Sequence, residues 1–237
     1  MRILQQGFSY LGSDLSRRQI TQFERYSDEL TRWIKRVNLT AISEPDDIET
    51  RHFLDSLSGS VVMPSELLQH GKLIDLGSGG GFPGLPLKIA FPDLNVVLVE
   101  SVGKKAAFLN HIIDVLELAN INVESKRAET LAHDPCFRHQ FDISVVRAVG
   151  HMSTIVEIAL PFCRTGGRLI AYKKGDVDKE IDDSIPVATL LGGKLAGQWK
   201  IDLPGLHDDR RLVVFDKIKE TSIKYPRRPG IPHKRRL

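Results

Sequence analysis

Leu73-Ile74-Asp75-Leu76-Gly77-Ser78-Gly79-Gly80-Gly81-Phe82-Pro83-Gly84 decides how the rest of the chain is read. Leu73, Ile74 and Leu76 give a short buried strand, glycines follow, and Pro83 suits the first turn of a helix. Glycine lets the backbone turn sharply and removes the Cβ that would hold a ligand away. The amides at the start of the next helix carry partial positive charge. A strand, a glycine turn and a helix N-terminus in this order make a site for a nucleotide-like or carboxylate-bearing cofactor.

Two registers of the loop compete. Gly79, Gly81 and Gly84 satisfy the G-x-G-x-x-G dinucleotide pattern, a weak signal by itself. Asp75-x-Gly77-x-Gly79-x-Gly81 instead places an acid at the strand end ahead of alternating glycines, as in S-adenosylmethionine methyltransferases. An anionic Asp75 would repel a pyrophosphate but favour the cationic methionine end of S-adenosylmethionine, so its carboxylate is expected to face that ammonium group. The second register is preferred; a nicotinamide enzyme is the runner-up, and a purely structural glycine turn the plainest alternative.

The chain of 237 residues has room for one α/β domain and a helical appendage. Its apolar share of 41% and charged share of 27% are those of a globular protein, and no apolar run approaches the ~20 residues that span a bilayer. The first residues lack the apolar core of a signal peptide. Cys136 and Cys163 are too few for a disulfide framework or a closed zinc site, so no metal is expected. A cytoplasmic, monomeric protein without membrane contact is the expectation. From Ile218 onward seven Lys or Arg stand against Glu220 alone, a concentration suited to phosphate contacts, although a solvated tail would look the same.

Residues 1–67 read as a helical cap. Ser13-Asp14-Leu15-Ser16 opens a capped helix with Phe23, Tyr26, Leu30 and Trp33 at helical spacing, and a second helix starts near Pro45 and stops before Pro64. On that helix Arg51 with Asp55 and His52 with Ser56 are expected as i,i+4 pairs; a helical ion pair and a partly buried histidine explain them, and in the functional reading this face closes over the cofactor mouth. Residues 68–218 alternate strand and helix, with strands expected near 72–76, 95–100, 121–125, 141–146, 168–173, 195–201 and 211–215. Five βα units and two closing strands fit a Rossmann-like methyltransferase sheet. Residues 219–237 form a basic, proline-punctuated tail that cannot be regular helix.

Several residues could carry chemistry. Glu100 closes the second strand, where an acid accepts hydrogen bonds from ribose hydroxyls. Arg127-Ala128-Glu129 follows the third strand, near where adenine would lie, though an exposed helix start explains it equally well. Arg147, at the exit of the fourth strand, could anchor a carboxylate, a phosphate or a base edge, or form a salt bridge. No Asn/Asp-Pro-Pro-aromatic motif and no Pro-Cys follow that strand, which argues against amino methylation of adenine or cytosine and against a cysteine nucleophile. Lys173 and Lys174 end the fifth strand on the same edge, and His207-Asp208-Asp209 lacks partners for metal or hydrolytic work. No Tyr-x-x-x-Lys pair supports an oxidoreductase.

Trp33 with Asn38-Leu-Thr-Ala-Ile42, Arg51-His-Phe-Leu-Asp-Ser-Leu57, Asp75 through Pro86, Glu100-Ser-Val-Gly-Lys-Lys105, Arg127-Ala-Glu129, Val146-Arg-Ala148, Lys174-Gly175 and Tyr225-Pro-Arg-Arg-Pro-Gly-Ile-Pro232 together resemble the RsmG family. These are the bacterial 16S ribosomal RNA guanine-N7 methyltransferases, also called glucose-inhibited division protein B. The resemblance implies transfer of a methyl group from S-adenosylmethionine to N7 of one guanine in the 530-loop decoding region of the small subunit. It also implies that Gly77 and Phe82 contact the cofactor, beside Asp75, Gly79, Gly81 and Glu100, that Ala128 and Glu129 line its adenosyl part, and that Arg147 lies at the cofactor site, close to the reaction. Arg51, His52, Lys173, Lys174, Arg227, Arg228, Lys234, Arg235 and Arg236 are the candidates for holding RNA. Val146 stands where the family often has Ser, leaving Ser144 upstream, and Gly80 where it commonly has Ala. Guanine N7 carries no proton, so no general base is expected. The competing classes are a methyltransferase for another acceptor and a non-catalytic ribosome-assembly factor that binds RNA.

Overall fold

The computed structural model describes residues 1–147, 150–203 and 206–237. Seven strands form one sheet: β1 (Lys72–Leu76), β2 (Asn95–Val99), β3 (Ile121–Glu124), β4 (Phe141–Arg147), β5 (Cys163–Lys174), β6 (Gly193–Leu203) and β7 (Leu206–Lys217), in the order β3-β2-β1-β4-β5-β7-β6. β1 to β5 are parallel, and β7 runs antiparallel between β5 and β6. All seven expected strands are present. The last three are longer than expected because their ladders continue through polar residues, such as Arg210 and Arg211 opposite Lys174 and Lys173. Strand order reverses between β1 and β4, the place where sheets of this kind open a crevice at the C-terminal strand ends.

Alternation along the central strands separates two apolar layers. Leu73, Ile143 and Val145 join a cluster with Phe8, Phe23, Tyr26, Leu30 and Phe53 of the N-terminal helices. Ile74, Leu76 and Val146 face the opposite layer, with Ile155, Val156 and Ile181. The N-terminal helices α1 (Arg2–Tyr10) and α2 (Arg17–Ile34) thus share one core with the sheet. Within the segment opened by Ser13, Ser16 is the N-cap: its hydroxyl accepts from the Gln19 amide, and the Gln19 side chain accepts from the Ser16 amide.

Residues 45–62 are helical throughout but not one regular helix. Pro45–Asp47 is α, Ile48–Leu54 is π, Asp55–Leu57 is α and Ser58–Val62 is 3-10. A π stretch adds a residue per turn and rotates everything after it, a device frequent at functional sites. The expected Arg51–Asp55 pair is therefore corrected: Arg51 Nε reaches Asp47 at 3.1 Å, and Asp55 turns inward to other partners. His52 and Ser56 meet only through the backbone, Ser56 Oγ donating to the His52 carbonyl. The tail, expected to lack helix, makes one turn at Ile231–Lys234, with Pro232 in the first turn where its missing N–H costs nothing.

Candidate active site

The loop after β1 adopts the register led by Asp75. Gly77, Gly79 and Gly81 all take positive φ, of 75°, 58° and 97°. Gly84 instead serves the acid: its amide donates to Asp75 Oδ2 at 2.9 Å, and a Cβ there would stand 2.8 Å from the same oxygen. Pro83 is the N-cap of the Gly84–Ala90 helix, one position earlier than expected. Asp75 is fully buried, with Oδ1 lacking any hydrogen-bond partner, and burial pushes its carboxyl up to about 7. Its expected exposure to a cofactor ammonium group is corrected accordingly. The carboxylate lies behind the loop, tethered to the helix N-terminus.

Two cavities open at the C-terminal edge of the sheet. The smaller, about 90 Å³, is lined by Gly77, Glu100, Ala128, Glu129, Val146 and His233 among others. The larger, about 390 Å³, has six cationic side chains on its walls, Arg51, Arg147, Lys173, Lys174, Arg210 and Arg211, with Asp55 as its carboxylate. Val146 and Arg147, adjacent at the end of β4, belong to one cavity each. Of the expected cofactor residues, Gly77, Glu100, Ala128 and Glu129 meet in the small cavity, and Arg147 joins the large one. Gly79, Gly81 and Phe82 shape the loop beside them. The Gly79 amide is taken by Glu100 Oε2 at 3.0 Å, and the Gly81 amide by the Ser78 carbonyl at 2.7 Å.

Phe82 is a pedestal. Its ring stacks on His52 at 4.3 Å and on Tyr26 at 5.6 Å, and the Arg147 guanidinium lies over it at 4.8 Å. Three of the five guanidinium N–H donors of Arg147 are engaged: Nη1 donates to Asp55 Oδ2 at 2.8 Å and to the Arg51 carbonyl at 3.2 Å, Nη2 to His52 Nδ1 at 3.1 Å. With Nδ1 accepting, Nε2 carries the proton and donates to Thr40 Oγ1 at 2.7 Å. Burial first, then the Arg147 and Arg210 charges, pushes His52 down to about 3. It is a neutral strut near pH 7.

The expected RNA residues divide. Arg51 is half exposed and Lys174 is 62% exposed, whereas Lys173 is drawn in by Glu180 at 2.7 Å and by the Gly150 carbonyl at 3.0 Å. Arg228, Lys234, Arg235 and Arg236 are exposed. Arg227 is corrected: two guanidinium bonds of 2.8 and 2.6 Å tie it to Glu157, itself 1% exposed, so its charge is spent inside the protein. Asp208 and Asp209, set aside for metal or hydrolytic work, brace Arg210 and Arg211. Ser144 is buried in β4 with its hydroxyl unpartnered; Ala148 lies outside the described residues, as does the side chain of His207.

Sequence reasoning missed Tyr26, whose hydroxyl donates to the Gly80 carbonyl, and Arg210, which shares Asp55 with Arg147. Tyr26 carried only the signal of a core helix position. Arg210 carried none, because its partner lies far away in sequence. His233 was also missed.

Residues 19–196 match the family described as GidB, rRNA small subunit methyltransferase G. The chain belongs to this family. The motif resemblance is thereby borne out, and it extends beyond the matched region. "Ribosomal RNA small subunit methyltransferase G" of Dehalococcoides mccartyi (strain CBDB1) is 45% identical over 234 residues, 99% of this chain and 98% of that relative. The protein of the same name from Roseiflexus castenholzii (strain DSM 13941 / HLO8) is 49% identical over 224 residues, 94% of each. Among solved structures, MtNAS in complex with MTA and tNA aligns with a TM-score of 0.56 at 16% identity, over 82% of this chain and 70% of that one. TYW2 of M. jannaschii in complex with AdoMet aligns at 0.51 and 16%, over 63% and 70%. These two likenesses concern the fold, and with the family they establish the Rossmann-like methyltransferase sheet. No helix among the described residues is long and apolar enough to cross a membrane.

A cofactor with an adenosyl group fits the residues present. Glu100 accepts one amide on each oxygen, from Gly79 at 3.0 Å and Val102 at 2.7 Å, and each oxygen keeps a lone pair for a ribose hydroxyl. Gly77 at the cavity wall presents no side chain, and Ala128 presents only a methyl group.

Proposed function

We propose that this chain methylates N7 of a guanine in the 16S RNA of the small ribosomal subunit, with S-adenosylmethionine as methyl donor, acting as a monomer in the cytoplasm. The observation that carries the reading is the adjacency of two unlike cavities on one sheet edge. One is small, with the Glu100 carboxylate on its wall; the other is wide and cationic, and they adjoin at Val146 and Arg147. Membership of the family and the names of the relatives support the same substrate class.

S-adenosylmethionine supplies an electrophilic methyl group, and guanine N7 offers an in-plane lone pair with no proton to lose. No side chain therefore has to accept a proton. The site agrees with this: His52 is held down to about 3, and Asp75 is sealed behind the loop. What the chain contributes is alignment and exclusion of water. Glu100, Gly77, Ala128 and Glu129 hold the adenosyl half. Arg147, fixed by Asp55, His52 and Phe82, presents its two remaining N–H donors to the reacting groups. Arg51, Lys174 and the exposed tail cations Arg228, Lys234, Arg235 and Arg236 grip phosphates, while the target base is presented out of its stack.

The test is transfer of labelled methyl groups from S-adenosylmethionine to unmodified small subunits, separated afterwards into RNA and protein. Label in the RNA, weakened steeply by salt, is expected. Label in the protein, or none despite cofactor binding, overturns the reading.

A further inference from the structure

The basic tail does not leave the protein as an arm; it is strapped across the cofactor cavity. His133 Nε2 donates to the Pro226 carbonyl at 2.8 Å. Arg227 is locked to buried Glu157 through its guanidinium and its own amide, the latter at 2.9 Å. Beyond it, the Gly230 amide donates to Glu129 Oε1 at 2.9 Å, and Thr154 Oγ1 donates to the carbonyl of buried Pro232 at 3.0 Å. These anchors bring His233 to the wall of the small cavity, beside Gly77, Glu100 and Ala128. Its ring rests so close to Gly150 that a Cβ there would stand 3.5 Å from Nδ1.

We propose that the strap is part of the cofactor site, with His233 a binding residue for the adenosyl half of S-adenosylmethionine. The inference rests on the assignment of the small cavity to that cofactor. Two features of the strap converge on the ligand. Glu129, a cavity residue, is oriented by a strap amide 101 positions away in sequence. The His233 imidazole supplies a flat face in a cavity whose other walls include the apolar side chains of Leu76, Val99, Ile155 and Ile158. A flat, polarisable face against apolar walls suits a purine ring. The exposed cations Lys234, Arg235 and Arg236 follow His233 directly in the chain, so one segment serves both cofactor and RNA.

The test uses S-adenosylhomocysteine, which shares the adenosyl half and cannot react, titrated calorimetrically into the full chain and three variants. His233→Ala is expected to raise Kd about threefold to tenfold, the size of one aromatic contact. His233→Phe, which keeps a flat ring, is expected to bind within about twofold of the parent chain. Glu100→Ala reports on the cavity itself and is expected to weaken binding at least as much as His233→Ala. Unchanged affinity in His233→Ala alongside weakened Glu100→Ala overturns the role of the strap and leaves the cavity assignment standing. Equal loss in His233→Ala and His233→Phe overturns the flat-face contact. Unchanged affinity in Glu100→Ala overturns the cavity assignment and the strap with it.

Discussion

Asp55 Oδ2 accepts from Arg147 Nη1 at 2.8 Å, and Arg210 Nη1 reaches the same oxygen at 2.7 Å. One buried carboxylate from the helical run thus holds two guanidinium groups from β4 and β7. Removing one member of a buried ionic set leaves the others uncompensated, typically at a cost of about 3 kcal/mol. Asp55→Asn is expected to cost that much in urea denaturation and to lower kcat/KM for methyl transfer by on the order of tenfold to a hundredfold as Arg147 loses its position. Parent-like stability and turnover would show that Arg147 is held by other contacts.

Arg147→Lys tests the planar fork. A lysine keeps the charge but cannot serve Asp55, the Arg51 carbonyl and His52 together. Turnover is expected to fall about tenfold or more with cofactor affinity less affected, read from separate calorimetric and kinetic measurements. Equal activity would mean that only the charge at this position matters.

Acid should expose the neutral strut. Burial lowers His52 from 6.5 to about 3, so between those values the unfolded chain binds a proton that the folded chain does not. Its contribution to stability is present above about pH 6.5 and is lost as pH falls toward 3. His52→Gln is expected to remove that slope from the curve of unfolding free energy against pH. An unchanged slope would assign it to other groups.

Asp75 acts with the opposite sign. Its carboxyl rises from 3.8 to about 7, so the folded chain keeps a proton that the unfolded chain releases. The associated stability is complete below about pH 4 and declines as pH rises through 7. Asp75→Asn should flatten this fall while keeping an acceptor for the Gly84 amide, and the contrast is read by denaturant melts at pH 5 and 8. A parent-like fall in the variant would contradict the burial of the carboxyl.

Neighbouring arginines in the tail should separate cleanly. Arg227→Gln strands the buried Glu157 carboxylate and is expected to cost about 2–3 kcal/mol of stability. Replacing exposed Arg228, Arg235 and Arg236 together should leave stability within about 0.5 kcal/mol and reduce the salt slope of RNA binding by roughly 2–3. Melting curves and filter binding at several salt concentrations distinguish the two effects. A reversed pattern would contradict the placement of the tail.

The glycine loop, the seven strands and the capped helix after Ser16 were legible because each is written in local pattern: alternation, turn residues and caps. Gly77, Glu100, Ala128 and Glu129 could be placed together because strand ends in a doubly wound sheet share one edge. The direction of a side chain could not be placed in this way. Asp75 follows the strand as expected, yet its carboxylate is claimed by the Gly84 amide just behind the loop. Asp55 leaves its helical neighbour because a π stretch, invisible to i,i+4 counting, rotates it toward β4. Arg147–Asp55 and Arg227–Glu157 are 92 and 70 positions apart, and no periodicity links such partners. The arrangement of the tail was illegible for the same reason: its charges were visible, whereas its anchors belong to the folded body.

Transfer to guanine N7 is tested most directly on the ribosomal particle itself. Small subunits lacking the modification, incubated with the protein and S-adenosylmethionine labelled in its methyl group, can be digested to nucleosides and the labelled product identified. Label is expected in 7-methylguanosine, confined to one position of the 16S RNA. Label in a different nucleoside, or spread over many guanines, would rule out site-specific transfer to N7.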